Sequence, residues 1–347
     1  MVGLDREIGE PVYTRGVEVS ALMPVKDARG TVDEAVASAL ADLPPASELI
    51  LVDDHCRDGT SEKLQDWARR DARVRVVEGP GRGISAALNA GRRACAAPLV
   101  ARMDADDVWL PGRWAAQHAA MKDTSLAAVG GRVEIFGDGP MRDGMRHYQV
   151  WLDSLTTPDE IYRDRYVESP LVHPATLIRK SALDSVGGWR EGDFPEDYAL
   201  WLAFLEHGFR LGSVREPVLR WRDSGHRLTR TDARYRLDAH AVLKAEHLAR
   251  ESFVKNGVRL AGAGPTGLRL ARLLRARGVE IRGHVEVHPR KIGQRIEGVE
   301  VVGYASLGAP DGIHLLVAVG AKGGRQQVRD FLQPRGWVET RDFTCVA

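Results

Sequence analysis

From Glu18 to Met103 apolar runs alternate with amphipathic stretches at a spacing that admits few architectures. EVSALMP closes on Pro24, and ELILVDD, from Glu48 to Asp54, ends in paired carboxylates and the turn HCRDGT. Val74 to Glu78 leads into the glycine turn GPGRG, and Leu99 to Met103 delivers the acids DADD. Helix-like segments fill the intervals from Thr31 to Asp42, Ser61 to Arg70 and Ile84 to Ala96. Strand and helix in this alternation predict an α/β fold, a parallel sheet with helices on both faces that binds ligands beyond the carboxyl ends of its strands. Asp53, Asp54, Arg82 and the acids from Asp104 to Asp107 all fall at that edge.

In VARMDADDVWLPGR an apolar run ends in Asp104, Asp106 and Asp107, and Pro111 then opens a helix. Carboxylate oxygens are hard ligands suited to Mg²⁺ or Mn²⁺, ions that share their coordination with phosphates and water. Acids this close repel one another and need a cation or solvent to stay ionised together. The alternative for an isolated D-x-D is a solvated turn with a helix cap.

Further along, FPEDYALWLAFLEHG places Glu196 and Asp197 in the first turn of a helix opened by Pro195, with apolar residues recurring at Leu200, Phe204 and Leu205. The helix dipole favours an ionised carboxylate there. Beyond a helical stretch from Asp232 to about Phe253, the text NGVRLAGAGPTGLRLARLLRARGVEIRGHVEVHP reads as strand, glycine turn at Gly262, Gly264 and Gly267, helix, and a strand ending at Glu286. Such glycines allow close phosphate approach to a helix N-terminus, and the later acid can meet a ribose hydroxyl. The strand HLLVAVG and a second glycine turn, AKGGR, extend this Rossmann-like pattern.

The segments SALMPVKDA, ELILVDDHCRDGT, GRGISAALNAGRRAC, VARMDADDVWLPGR, SPLVHPATLIRKSALDSVGGWR and FPEDYALWLAFLEHGF together resemble a family 2, GT-A-type inverting glycosyltransferase, in the family's order. The resemblance implies the following roles. Pro24 and Asp53 lie at the donor's base or ribose, Asp54 and Asp58 contact the donor or cap the helix at Thr60, and Arg82 approaches a phosphate or base. Asp104 contacts the donor ribose or sugar, Asp106 binds Mg²⁺ or Mn²⁺, and Asp107 supports the metal site or caps the next helix. Asp197 is the base that takes the acceptor's proton, with Glu196 beside it, and His173 and Trp201 face the acceptor. In WRDSGHRLTR, His226 completes the metal's coordination and Arg227 or Arg230 holds the diphosphate. Lys26 and the pair His55-Cys56 depart from the family's usual residues. The expected activity is metal-dependent transfer from a nucleotide diphosphate sugar, UDP by default, to a hydroxyl of a saccharide or lipid-linked acceptor in polysaccharide or glycoconjugate synthesis.

The tail resembles small nucleotide-binding domains attached to sugar-modifying enzymes, which makes Gly262, Gly264, Gly267 and Glu286 a second nucleotide site. An NAD-dependent sugar-modifying enzyme is the rival, although no Tyr-x-x-x-Lys follows the glycines. A nucleotide-sugar sensor is a third reading. The expected division is a GT-A domain over 16–230, a helical connector over 231–255 and a Rossmann-like nucleotide-binding or regulatory domain over 256–347.

Charge and composition bound the partners. With 49 basic and 48 acidic residues there is no cationic excess to recruit nucleic acid. Apolar runs fall short of the roughly 20 residues that span a bilayer, and MVGLDREIGE does not read as a signal peptide. Cys56, Cys95 and Cys345 lie far apart and suggest a reducing cytoplasm. Arginine-rich surface is compatible with peripheral contact at the membrane's inner face, and the sequence leaves the oligomeric state open.

Overall fold

An apolar run without polar alternation suits a strand covered on both sides, and the N-terminal runs behave this way. In a computed structural model of the protein, which describes residues 16–137, 139, 141, 143–224 and 232–347, strands β1 (Val19–Val25) and β2 (Ser47–Asp53) are almost wholly buried. They pair in parallel from Val19↔Ser47 to Val25↔Asp53. β3 (Val74–Glu78) joins the outer side of β2, with Asp53 opposite Glu78, and β4 (Leu99–Arg102) joins β1, with Leu22 opposite Arg102. These registers bring the carboxyl ends of β1, β2, β3 and β4 to one edge, which is why residues distant in sequence meet there.

Helices α1 (Val32–Asp42), α2 (Thr60–Arg70) and α3 (Ile84–Ala94) form the crossovers. Val32, Ala35, Val36 and Ala39 make one apolar face of α1 and belong to the same core as Ala21, Met23, Leu49 and Leu51. After β4 the chain forms β5 (Val108–Trp109), α4 (Arg113–Ala120), β6 (Leu126–Phe136), α5 (Asp143–Asp153), α6 (Pro158–Arg163), β7 (Leu177–Arg179), α7 (Lys180–Ser185), α8 (Glu196–Glu206) and β8 (Arg210–Arg222).

The resulting eight-stranded sheet has the order β3-β2-β1-β4-β7-β6-β8-β5. It is mixed, which corrects the wholly parallel sheet expected from the alternation. β7 runs antiparallel to both β4 and β6, and β5 runs antiparallel to β8. The regular alternation that signals parallel strands stops at β4, and antiparallel neighbours need no helical crossover to join them.

The chain divides into two compact units. One takes in residues 16–153, Leu171–Glu191 and His207–Asp223; the other holds Ser154–Pro170, Gly192–Glu206 and the described residues from Ser224 to Ala347. The second unit contains β9 (Val258–Ala261), β10 (Ile281–Glu286), β11 (Arg295–Ile296), β12 (Val299–Gly303), β13 (His314–Val317) and β14 (Phe343–Cys345), in the order β11-β12-β10-β9-β13-β14. β12, β10, β9, β13 and β14 pair in parallel, while β11 forms an antiparallel pair with β12. With β9 counted first, the parallel strands follow the Rossmann order 3-2-1-4-5.

This division does not follow the linear boundaries expected at 230 and 255. Tyr198, Ala199 and Leu202 of α8 share a core with Leu243 and Leu248 of the helix Leu237–Leu248, and with Val258, Leu260, Leu316 and Val346 of the tail. Reading boundaries along the chain cannot register a helix from one stretch that buries its apolar face in another. Among the described residues, no helix is long and apolar enough to cross a membrane.

Candidate active site

The acids after β4 form a compact set. Asp104, Asp106 and Asp107 each offer a carboxylate oxygen, and these atoms all lie within 4.8 Å of one another. An all-oxygen set of this kind fits a hard divalent cation such as Mg²⁺ or Mn²⁺. The chain supplies part of the charge balance that three neighbouring acids require. Arg102, 1 % exposed, places Nη1 2.5 Å from Oδ1 of Asp104. The fully buried Arg113 donates to the carbonyls of Arg102 (2.8 Å) and Pro174 (2.9 Å), and its guanidinium lies over the Trp109 ring. Burial pushes the Arg113 pKa down, and the charges of Asp107 and Asp42 oppose that shift.

Asp107 is buried, and its Oδ1 accepts the Arg222 amide at 2.8 Å. The cap of α4 comes instead from Asp42 at the end of α1. Its two oxygens accept the amides of Gly112 (2.7 Å) and Trp114 (2.8 Å), and the Trp109 indole N–H completes the cluster.

At the end of β2 the paired acids separate in role. Asp53 is half-buried and accepts the Cys56 amide at 3.0 Å. Burial works to raise its pKa, but hydrogen bonds from the Ser61 hydroxyl and the Cys56 amide outweigh it and leave the pKa lowered. Asp54 is buried and accepts the Gly81 amide at 2.8 Å, so it holds the glycine turn that carries Arg82. A side chain at Gly79 would collide with Asp54, its Cβ falling 2.7 Å from Oδ1. Arg82 itself is exposed, 3.6 Å from Glu191. Asp58 takes the helix-start role, accepting the Thr60 amide at 3.0 Å.

The departures from the family pattern now have a structural account. Lys26 donates to the carbonyls of Asp54 (2.6 Å) and His55 (2.7 Å), tying the end of β1 to the end of β2. Cys56 accepts the Asp27 amide through its sulfur, and His55 sits at φ +61° with Nε2 3.1 Å from the Gly79 carbonyl. Pro24 stands opposite Val52 in the same strand pair.

In the second unit, α8 begins at Glu196 and Asp197 as expected. Glu196, only 2 % exposed, accepts the Tyr235 hydroxyl at 2.6 Å. Asp197 accepts the Ser169 hydroxyl at 3.4 Å. Tyr235 lies outside the motifs and Ser169 only opens SPLVHPATLIRK, and each reaches its acid across a long stretch of chain, so the sequence reading gave neither a role. Burial, followed by the Glu196 and Asp197 charges, pushes the Tyr235 phenol far up, so it remains a donor. Trp201 is fully buried within α8, tilted against Phe204, and its ring is used in packing.

His173 is buried in the first unit, and its Nε2 lies 2.9 Å from Trp189 Nε1. The indole N–H can only donate, so Nε2 is the acceptor and a neutral ring carries its proton on Nδ1. Trp189 is fixed in turn by Asn89, which exchanges hydrogen bonds with its backbone at 2.6 and 3.1 Å. The motifs NAG and GGWR are thereby stitched together. His226, Arg227 and Arg230 lie outside the described residues.

The tail's glycine turn follows β9. Gly262 adopts φ +101°, a Cβ there would lie 2.8 Å from the Ala318 carbonyl, and a Cβ on Gly267 would overlap the Gly262 carbonyl at 1.9 Å. Gly264 faces open space at the start of the helix Pro265–Arg275. Glu286, expected to meet a ribose, is occupied otherwise. It accepts the amides of Ala263 (3.1 Å), Val287 (2.9 Å) and His288 (3.3 Å), with Lys291 Nζ also at 3.3 Å. Burial opposes ionisation, but these donors lower its pKa on balance. Lys291 also donates to the Ala263 carbonyl at 2.9 Å, so acid and lysine together brace the turn.

A carboxylate cluster at the carboxyl end of β4, with a further acid at the end of β2 in the same sheet, is the arrangement expected of a transferase of the GT-A type. The comparisons with known proteins agree. The description Glycosyl transferase family 2 matches residues 20–187, so the chain carries that family's domain and the protein is a glycosyltransferase. It is 27 % identical over 234 residues to the putative glycosyltransferase EpsE of Bacillus subtilis, covering 66 % of this chain and 81 % of that one. It is 28 % identical over 206 residues to the UDP-Gal:alpha-D-GlcNAc-diphosphoundecaprenol beta-1,3-galactosyltransferase of Escherichia coli, covering 58 % and 71 %. Among solved structures, the mannosyltransferase PcManGT of Pyrobaculum calidifontis, in complex with GDP-Man and Mn²⁺, has a TM-score of 0.50 at 18 % identity over 75 % of this chain and 73 % of that one. S. aureus TarS 1-349 with UDP-GlcNAc also reaches 0.50, at 12 % identity over 68 % of each chain. The two structures share the fold.

Proposed function

We propose that this glycosyltransferase is metal-dependent and inverting, moving a sugar from a nucleotide diphosphate donor, a UDP-sugar by preference, to a hydroxyl of a saccharide or lipid-linked acceptor. The observation that carries the reading is the set of Asp104, Asp106 and Asp107 oxygens within 4.8 Å at the carboxyl end of β4. Asp106 is the principal metal ligand in this proposal, with His226 as a further one. A divalent cation held there supplies positive charge against the departing diphosphate.

The chain's own groups do the rest. Asp53, kept ionised by its donors, accepts hydrogen bonds from the base or ribose, Asp104 contacts the ribose or sugar, and Arg82 and Arg227 face the phosphates. Asp197 takes the proton of the acceptor hydroxyl as its oxygen bonds to the anomeric carbon. The bond from that carbon to the diphosphate breaks, the nucleoside diphosphate leaves, and direct attack inverts the anomeric configuration. The relatives named for UDP-Gal and UDP-Glc with diphosphoundecaprenol-linked GlcNAc support a UDP donor and a lipid-linked acceptor in polysaccharide synthesis. Work on such an acceptor fits a cytoplasmic protein in peripheral contact with the inner face of the membrane.

For the tail the proposal is a nucleotide-binding or regulatory role without redox chemistry. An ionised carboxylate has about four lone-pair sites, and the donors around Glu286 engage its carboxylate, which counts against an NAD-type ribose contact. The deciding experiment incubates the protein with UDP-, GDP- and dTDP-sugars, with and without Mn²⁺, and measures nucleoside diphosphate release. Absence of release with every donor, or release indifferent to chelation, refutes metal-dependent transfer.

A further inference from the structure

Arg222 ends β8, the strand paired with β6 and β5, and grips the acidic turn with both its backbone and its side chain. Its amide donates to Asp107 Oδ1 at 2.8 Å, and its Nε donates to the Asp106 carbonyl at 2.6 Å. Its Nη2 reaches Oε2 of Glu34 in α1 at 2.7 Å, and the guanidinium lies 4.4 Å from the Phe136 ring centroid. Phe136 is its register partner in β6, and the next amide, of Asp223, donates to the Phe136 carbonyl at 2.6 Å. The arginine is therefore fixed from several directions before it touches the acids.

Two consequences follow for the turn. The bond from Nε goes to the Asp106 backbone and not to its carboxylate, so it orients the residue without consuming a ligand atom. The amide bond to Asp107 fixes one of that carboxylate's oxygens against strand β8. A lysine could not reproduce this pattern, because the planar fork of a guanidinium serves a carbonyl and a carboxylate at once whereas an ammonium is a point charge on a flexible stem.

We propose that Arg222 is a positioning residue that preorganises Asp106 and Asp107 within the acidic set for a divalent cation, without ligating the cation or touching the substrate. The inference rests on the reading of this triad as the metal site. Groups that orient metal ligands typically change metal affinity by about 10–100-fold when removed, because the ligands must then be ordered at the moment of binding.

The test measures Mn²⁺ binding to the full-length protein without donor, from the electron paramagnetic resonance signal of free Mn²⁺, for wild type, Arg222→Lys, Arg222→Gln, Glu34→Gln and Asp106→Asn. Arg222→Lys and Arg222→Gln should weaken binding about 10-fold or more. Glu34→Gln, which removes only the charge of the outer anchor, should weaken it in the same direction by a smaller factor. Asp106→Asn should abolish it. In the transfer assay, raising Mn²⁺ should return the Arg222 variants to near wild-type kcat, while the half-saturating Mn²⁺ concentration stays high. A purely structural role would instead lower the melting temperature and kcat at every Mn²⁺ concentration, and would overturn the proposal. Wild-type Mn²⁺ affinity in Arg222→Lys and Glu34→Gln, with binding lost in Asp106→Asn, overturns the proposal and leaves the metal site standing. A wild-type protein without Mn²⁺ affinity overturns both. If Arg222→Gln does not fold, Arg222→Lys and Glu34→Gln decide the matter.

Discussion

The Tyr235 hydroxyl donates a 2.6 Å hydrogen bond to Oε2 of Glu196, and the neighbouring Asp197 accepts the Ser169 hydroxyl at 3.4 Å. Adjacent acids at one helix start are thus distinguished by what holds them. Glu196 is buried and braced, which suits a structural post, whereas the proposed base is Asp197.

Asp197→Asn should therefore lower turnover by about 10² or more with donor affinity nearly unchanged, since it keeps the size and removes the base. Tyr235→Phe, which removes the donor, and Glu196→Gln, which keeps an acceptor oxygen but removes the charge, should each cost turnover less. Steady-state kcat and KM for the three variants decide the assignment. A large loss in Glu196→Gln with Asp197→Asn near wild type would exchange the two roles.

Asp106→Asn should abolish most transfer and remove the Mn²⁺-dependent part of donor affinity while the fold persists. Thermal shift with a nucleotide sugar, with and without Mn²⁺, reads the affinity, because a ligand specific for the native state raises its stability. Unchanged turnover would sink the assignment of Asp106.

Ending the chain near Lys255 should unfold more than the tail. Tyr198, Ala199 and Leu202 of α8 lie in one core with Val258, Leu260 and Leu316, and the truncation strips away those partners. We expect the truncated protein to lose protease resistance within 192–206 and to lose transfer. A stable, active truncation would restore the independent tail that the linear sequence suggests.

His314 gives the second unit a pH-dependent contribution to stability. Its ring is buried, stacked on Phe253 at 3.8 Å, with Nδ1 3.2 Å from the Arg341 carbonyl and Nε2 2.9 Å from the Thr344 hydroxyl. Burial is the chief cause of a pKa lowered from 6.5 to about 4. A base whose pKa is depressed on folding stabilises the protein fully above its unfolded value, and this contribution fades as pH falls from 6.5 toward 4. The shift corresponds to at most about 3 kcal/mol. His314→Gln should be less stable than wild type at pH 8, and the gap should narrow steadily down to pH 4. A gap independent of pH would show that the ring contributes by packing alone.

The strands up to Leu99, their shared edge and the acids at Asp53, Asp104 and Asp106 were legible because apolar runs and turn residues are local signals. The sequence expectation for β1, Glu18 to Pro24, differs from Val19–Val25 by a single step. What stayed hidden is long-range pairing. Arg222 meets Asp106 across 116 positions, Asp42 caps a helix that begins at Arg113, and β7 enters the sheet antiparallel between β4 and β6. Side-chain commitments were equally opaque. His173 in HP and Glu286 after the glycines have residue types suited to binding, yet the structure engages one with Trp189 and the other with backbone amides. Lys26, an oddity as text, becomes intelligible once the carbonyls of Asp54 and His55 are seen beside it.

The cysteines have a practical consequence. Cys56, with its sulfur beside the Asp27 amide, and the buried Cys95 and Cys345 are all free thiols, and burial is the chief cause pushing each up to about 12. At neutral pH a thiol with that pKa is ionised in only about one molecule in 10⁵, roughly a thousandfold below an ordinary exposed cysteine. The native chain is thus a quiet background for maleimide chemistry. A single cysteine introduced at the exposed Glu191 would take up a fluorophore or spin label ahead of the three resident thiols, placing a reporter beside the glycine turn that carries Arg82.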